Sequence, residues 1–156
     1  MNKTILIFFA GFLSCAVIFL SLNFFSQISP FLTGYATLNS APSGKITEDS
    51  ILLFDDEIIL KIANTTISAY ENTGSMKPVF DYTSHGIRIK PSSPDDISIG
   101  DIVSFRKGGE LIVHRVIEKE VDENGIYFVT KGDGNFFSDG KVRYEDIEYI
   151  TIGILW

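Results

Sequence analysis

Ser75 stands between a glycine and a Met-x-Pro run, in Gly74-Ser75-Met76-Lys77-Pro78. Glycine allows a tight backbone turn, and proline fixes φ and stops a helix from continuing. A hydroxyl on such a turn can be presented to a substrate with no bulky neighbour behind it. Serine is a poor nucleophile until a neighbour takes its proton. Two later stretches offer the missing groups. Ile112-Val113-His114-Arg115-Val116-Ile117 holds His114, and Lys131-Gly132-Asp133-Gly134-Asn135 holds Asp133, with Asp139 just beyond. Serine, histidine and aspartate are the nucleophile, base and orienter of acyl transfer.

Each residue also has a plainer reading. His114 falls within an expected strand, on the same face as Ile112 and Val116, which shields it from solvent. Imidazole titrates near neutral pH, as a general base should. The plainer reading is a half-buried strand histidine satisfied by a backbone carbonyl. His85, in the polar turn Thr83-Ser84-His85-Gly86, reads as surface. Asp139 and Asp133 are both candidate orienters, and both sit in turn-like contexts, Ser138-Asp139-Gly140 and Gly132-Asp133-Gly134. An oxyanion hole needs donors beside the nucleophile. The Ser75 backbone N–H and the Thr73 hydroxyl, two residues earlier, are the candidates.

The elements that must position these groups are strands. Ile51-Leu52-Leu53-Phe54 and Ile58-Ile59-Leu60 flank Asp55-Asp56-Glu57 as a hairpin. Thr65 to Tyr70, rich in β-branched residues, forms a strand leading to the serine turn. Gly86 to Lys90 alternates apolar and polar, and Pro91 to Ile99 is a loop. Ile102 to Phe105 follows, then a Gly108-Gly109 turn into Leu111 to Ile117. Asn124-Gly125 turns into Ile126 to Thr130, Arg143 to Asp146 is a short turn, and Ile147 to Leu155 is a last strand. No amphipathic helix follows Phe25. Short, closely spaced strands predict a mainly β domain, a small antiparallel barrel or coiled sheet.

The chain begins differently. Thr4 to Phe25 carries no charge. As a helix its 22 residues, at about 1.5 Å each, span roughly 33 Å and would cross a hydrocarbon core of about 30 Å. A cleaved leader would have a shorter apolar core and a small-x-small exit site, so the run is expected to be a retained transmembrane anchor over residues 1–25. Lys3 on the short side favours an N-inside orientation. Residues 26–44, with Pro30, Gly34, Pro42 and Gly44, read as a linker, and residues 45–156 as the β domain. Net charge is -7, and Lys3 is the only charged side chain before Lys45. Such an acidic domain argues against nucleic acid as a partner. Cys15 is the only cysteine, which leaves no disulfide within the chain and no cysteine-rich metal site. Asn64-Thr65-Thr66 fits a glycosylation sequon.

Four of these stretches, in order, resemble the successive boxes of type I signal peptidases. They are Gly74-Ser75-Met76-Lys77-Pro78, Gly100-Asp101-Ile102-Val103-Ser104-Phe105, Ile112 to Ile117 and Thr130 to Asn135. The resemblance covers about residues 73–154. Bacterial members use a Ser/Lys dyad. With His114 where they have lysine, this chain is similar to the archaeal and endoplasmic-reticulum type. That resemblance implies an all-β catalytic domain held at the membrane, with Ser75 as nucleophile, His114 as base, Asp139 as acidic partner and Asp133 as a second carboxylate. It implies no cofactor or metal. Its substrates would be signal-peptide-bearing preproteins, met at the outer face of the lipid bilayer, with small side chains in shallow pockets lined by Met76. The chain departs from the pattern at Ser138-Asp139, where paired acids are common, at Gly134, and in the longer stretch between Lys45 and Asn72. Those departures motivate a second expectation of another class, a membrane-tethered β module that binds peptides or partner proteins without cleaving them. A soluble self-cleaving repressor of related fold is opposed by the apolar N-terminus and the acidic charge.

Overall fold

The computed structural model describes residues 40–156. The expected anchor, its orientation and most of the expected linker lie outside the described residues. Within them, no helix is long and apolar enough to cross a membrane.

The described chain is mainly β. A first hairpin pairs β1 (Ile51–Leu53) with β2 (Ile58–Leu60), with Ile51 opposite Leu60. The remaining strands form one antiparallel sheet: β3 (Thr65–Ala69), β4 (His85–Ile89), β5 (Ile102–Lys107), β6 (Glu110–Asp122), β7 (Gly125–Lys131), β8 (Gly140–Arg143) and β9 (Ile147–Leu155). Their order is β3-β4-β9-β5-β6-β7-β8. Among the described residues no pairing joins β3 to β8, so the sheet is open rather than a closed barrel. Register shifts at Ile87/Arg88, Ser104/Phe105 and Val116/Glu118 bend it.

Side-chain alternation assigns the two faces. One face carries Val103 and Phe105 from β5, Val116 from β6, Phe128 from β7, Val142 from β8 and Ile150 from β9, closed by Ile97. Phe105 and Phe128 are fully buried, and each such side chain contributes about 1.5–3 kcal/mol. The other face carries Ile102 and Val113, covered by Met76 and Phe80. The serine turn is therefore the lid of a second, smaller core.

The glycine turns do what their positions require: Gly108 and Gly109 adopt φ of 61° and 89°, and Gly125 adopts 100°. Three features differ from expectation. β6 runs to Asp122, well past Ile117, because its polar second half pairs with β7. β8 carries only one apolar side chain, Val142, too few for an alternation pattern. Its register is held instead by Val142 in the core and by Lys141 and Arg143 on Asp122 at 2.7 and 2.8 Å. Residues 40–44, the described part of the expected linker, are bound to the sheet domain. Asp101, fully buried, accepts from the Ser43 backbone N–H at 2.7 Å and hydroxyl at 2.6 Å, and Lys45 lies 3.7 Å away. A Cβ on Gly100 would lie 2.1 Å from the Ala41 carbonyl oxygen, so glycine is needed for this approach.

Candidate active site

The serine turn is built from short-range bonds and anchored by apolar side chains. Gly74 takes φ of 69°, open to glycine and strained for other residues. The Lys77 N–H donates to Gly74, and the Val79 and Phe80 N–H groups donate to Met76. Met76 is only 3% exposed and packs with Phe80 and Ile102. Met76 thus lines the cleft from inside a core. Lys77 points outward, 60% exposed, and pairs with Asp81 at 2.7 Å.

The loop after β7 clamps this turn from the other side. The Gly134 N–H donates to the Ser75 carbonyl at 2.8 Å. A Cβ on Gly132 would lie 2.6 Å from that same oxygen, and one on Gly134 would lie 2.8 Å from the Gly74 oxygen. The two glycines of Gly132-Asp133-Gly134 are therefore required for contact, since backbone meets backbone there. This contact connects the nucleophile candidate to the base candidate, because the same loop continues into Asn135, whose Nδ2 lies 3.5 Å from His114 Nε2.

His114 lies on β6 opposite Val103 of β5 and is buried. Its Nδ1 lies 2.7 Å from Asp139 Oδ2. The Thr130 hydroxyl donates to the same oxygen at 2.8 Å, and Lys107 Nζ donates to the Asp139 carbonyl. Burial raises the Asp139 carboxyl, but it is outweighed by the hydrogen bonds from His114 and Thr130 and by the electrostatic attraction of His114 and Lys107. The net shift is below the ordinary carboxylate value. An ionised Asp139 accepts the Nδ1 proton, leaving the basic lone pair of the imidazole on Nε2, which faces Asn135.

Asp133 goes elsewhere. Successive strand residues point to opposite faces, so Arg115 leaves β6 on the side away from His114. Arg115 donates to both Asp133 oxygens, at 2.8 and 2.7 Å, and to the Gly100 carbonyl at 2.8 Å. Arg115 and Asp133 are both almost fully buried. The two candidate orienters are thus separated: Asp139 meets His114, and Asp133 ties the clamping loop to β6.

Ser75, His114, Thr73, Met76 and Asn135 line one cleft of about 700 Å³. Its walls are the end of β3 and the first part of β6. β6 pairs with β7 only from Arg115 onward, so its Glu110–His114 edge on that side has no strand partner among the described residues. The outer edge of β3 is likewise without one. Within the cleft the Ser75 hydroxyl lies 3.0 Å from Thr73 Oγ1, which also accepts from the Ser75 N–H at 3.3 Å. Among the described residues no hydrogen bond joins Ser75 to His114. Both expected oxyanion donors are thus turned toward each other. His85 is exposed at the start of β4 and does not line the cleft.

Three residues that sequence reasoning did not single out contribute to this arrangement. Thr130 and Asn135 lie in a stretch already marked by its glycines, but only the folded loop brings them to Asp139 and His114. Arg88, on β4, lines the far wall of the cleft. Among the described residues no group of three or more His, Cys, Asp or Glu is arranged to hold a metal. No protein-family model matches the chain, and neither does any curated protein.

Proposed function

We propose that the protein is a serine endopeptidase of the signal peptidase type, anchored by Thr4 to Phe25, that removes signal peptides from exported preproteins on the outer face of the membrane. The observation that carries this reading is the His114–Asp139 contact of 2.7 Å in a cleft that Ser75 also lines. An extended peptide would lie in the cleft and add its backbone to the free edge of β3 or β6. The Ser75 hydroxyl turns from Thr73 to His114 Nε2 as substrate enters. His114 takes its proton, and Ser75 attacks the scissile carbonyl. The Ser75 N–H and Thr73 hydroxyl, freed from each other, hold the oxyanion. His114, stabilised as imidazolium by Asp139, then protonates the leaving amine, and water releases the acyl group by the same route in reverse.

A second reading is supported by a specific observation. The resting Ser75 hydroxyl is bonded to Thr73, with no bond to His114, as a peptide-binding module without catalysis would allow. The experiment that separates the two is cleavage of a model preprotein in detergent, with the cut site read by mass spectrometry. Ser75→Ala and His114→Ala are each expected to abolish a cut that the wild-type protein makes after a small-x-small motif. Retained cleavage in either variant, or no cleavage by a well-folded wild type, overturns the peptidase reading.

A further inference from the structure

The chain has four arginines, and three of them have a carboxylate. Arg106 pairs with Glu148 at 2.6 Å. Arg115 grips Asp133 through Nε and Nη2, and Arg143 reaches both Asp122 oxygens from its Nη2 at 2.9 and 2.8 Å. Arg88 has none. Among the described residues it makes no hydrogen bond or ion pair, and its Nε is buried without a partner. What it has is a ring: its guanidinium carbon lies 4.2 Å from the centroid of Tyr149.

Stacking fixes the plane of the guanidinium but satisfies none of its N–H donors. Arg88 is half-buried, and a buried donor such as its Nε left without a partner is costly. The fork that results is already oriented, the arrangement that receives a carboxylate with two parallel bonds. Its surroundings repeat the pattern. Ser68 Oγ, on the neighbouring strand, lines the same cleft near the Tyr70 hydroxyl and is buried with no hydrogen bond of ordinary length. The carboxylates on the cleft wall do not neutralise Arg88. Asp81 is held by Lys77, and Glu71 and Glu110 are exposed and form no salt bridge among the described residues.

We infer that Arg88, with Ser68 beside it, is a subsite of the cleft that receives a carboxylate side chain of the bound peptide. This rests on the reading of the cleft as a peptide site. The sheet register sets a minimum distance. Arg88 stands opposite Thr66 on β3, and His85 opposite Ala69, where β3 ends toward the serine turn. Thr66 and Ala69 are three residues apart, about 10 Å along a strand. An extended peptide rises at the same rate, so its acidic residue lies at least three positions from the bond facing Ser75.

The test uses the full chain in detergent and fluorescent peptides of alanine, serine and leucine, each carrying one Glu, Gln or Lys moved along the positions in turn. Binding is read by anisotropy on Ser75→Ala, which removes turnover, and cleavage is read on the Ser75 protein. One position, three or more residues from the cut, is expected to bind its Glu peptide about tenfold tighter than its Gln counterpart, a difference lost in Arg88→Gln and only partly kept in Arg88→Lys. Equal binding of Glu and Gln peptides at every position overturns the inference, as does a Glu preference that survives in folded Arg88→Gln. The wild-type comparison decides even where a variant does not fold. The two proposals also fail separately: peptides that bind with the Glu preference but stay uncut refute the peptidase and support the subsite, whereas peptides cut without any Glu preference do the reverse.

Discussion

Replacing Gly132 with alanine tests whether the loop after β7 sets the position of Ser75. The new Cβ would lie 2.6 Å from the Ser75 carbonyl oxygen. Ordinary contact begins near 3.4 Å, so the two backbones must separate by about 0.8 Å. Neither the Ser75 turn nor the loop is a flexible side-chain end. The turn is pinned by Met76 and Phe80 in their core, and the loop by Asp133 on Arg115. The displacement therefore falls between Ser75 and His114, whose relation the loop maintains. A misplacement on the order of 1 Å costs roughly 100-fold in rate, or about 2.7 kcal/mol of transition-state stabilisation. The assay is preprotein cleavage by the full chain under single-turnover conditions, alongside a thermal melt. Gly108→Ala is the control. Gly108 has φ of 61° but nothing within 4 Å of a Cβ, so that variant strains a turn without pushing on any neighbour. It is expected to lower the melting temperature by the effect of about 1 kcal/mol while leaving the rate near wild type. Gly132→Ala cutting within threefold of wild type, with a folded melt, would refute the claim that this contact positions the serine.

Asp139→Asn should slow cleavage by about 1000-fold with the fold intact, because an amide cannot hold the Nδ1 proton of His114 as a carboxylate does; a loss under tenfold would separate Asp139 from the chemistry. The same substitution has a sign in pH. The folded carboxyl titrates below its unfolded value of about 3.9, so its stabilisation is present above that value and disappears as pH falls through the lower, folded one. The stability difference between wild type and Asp139→Asn should be constant above about pH 3.9, shrink as pH falls below it and level off only below the lower, folded value; a difference that does not change with pH would contradict the assignment. Asp133→Asn leaves Arg115 buried without its charge partner and should cost about 3–5 kcal/mol in denaturant unfolding. A cost below 1 kcal/mol would show that Gly100 and Ser40 carbonyls suffice for Arg115.

The strands were legible where the sequence alternates or where glycine must turn. Gly108-Gly109 and Asn124-Gly125 announced their hairpins because few other residues take positive φ. The second half of β6 was not, since Glu118-Lys119-Glu120 has no apolar alternation. Its Lys119 instead reaches back to the Pro94 and Ile97 carbonyls, which no local pattern records. Ser75 and His114 stood out as residue types on a turn and a strand. Choosing between Asp133 and Asp139 was beyond sequence, because both sit among turn residues. The choice is made by adjacency on β6: His114 and Arg115 face opposite ways, and each takes one aspartate. Arg88 gave no sequence signal, since its distinction is the carboxylate it lacks.

The strand order has a consequence for timing. β9 follows the other described strands in sequence yet lies between β4 and β5 in the sheet. The half bearing Ser75 and the half bearing His114 are therefore laterally joined by a strand made after both. While the chain is being synthesised, the serine turn also waits for Trp156, whose indole N–H donates to the Val79 carbonyl at 3.2 Å. A nascent chain can form its hairpins early, but Ser75 and His114 share a framework only after residues 147–155 have emerged. Assembly of the cleft is thereby tied to the synthesis of β9, and a chain that lacks it carries the parts without the site.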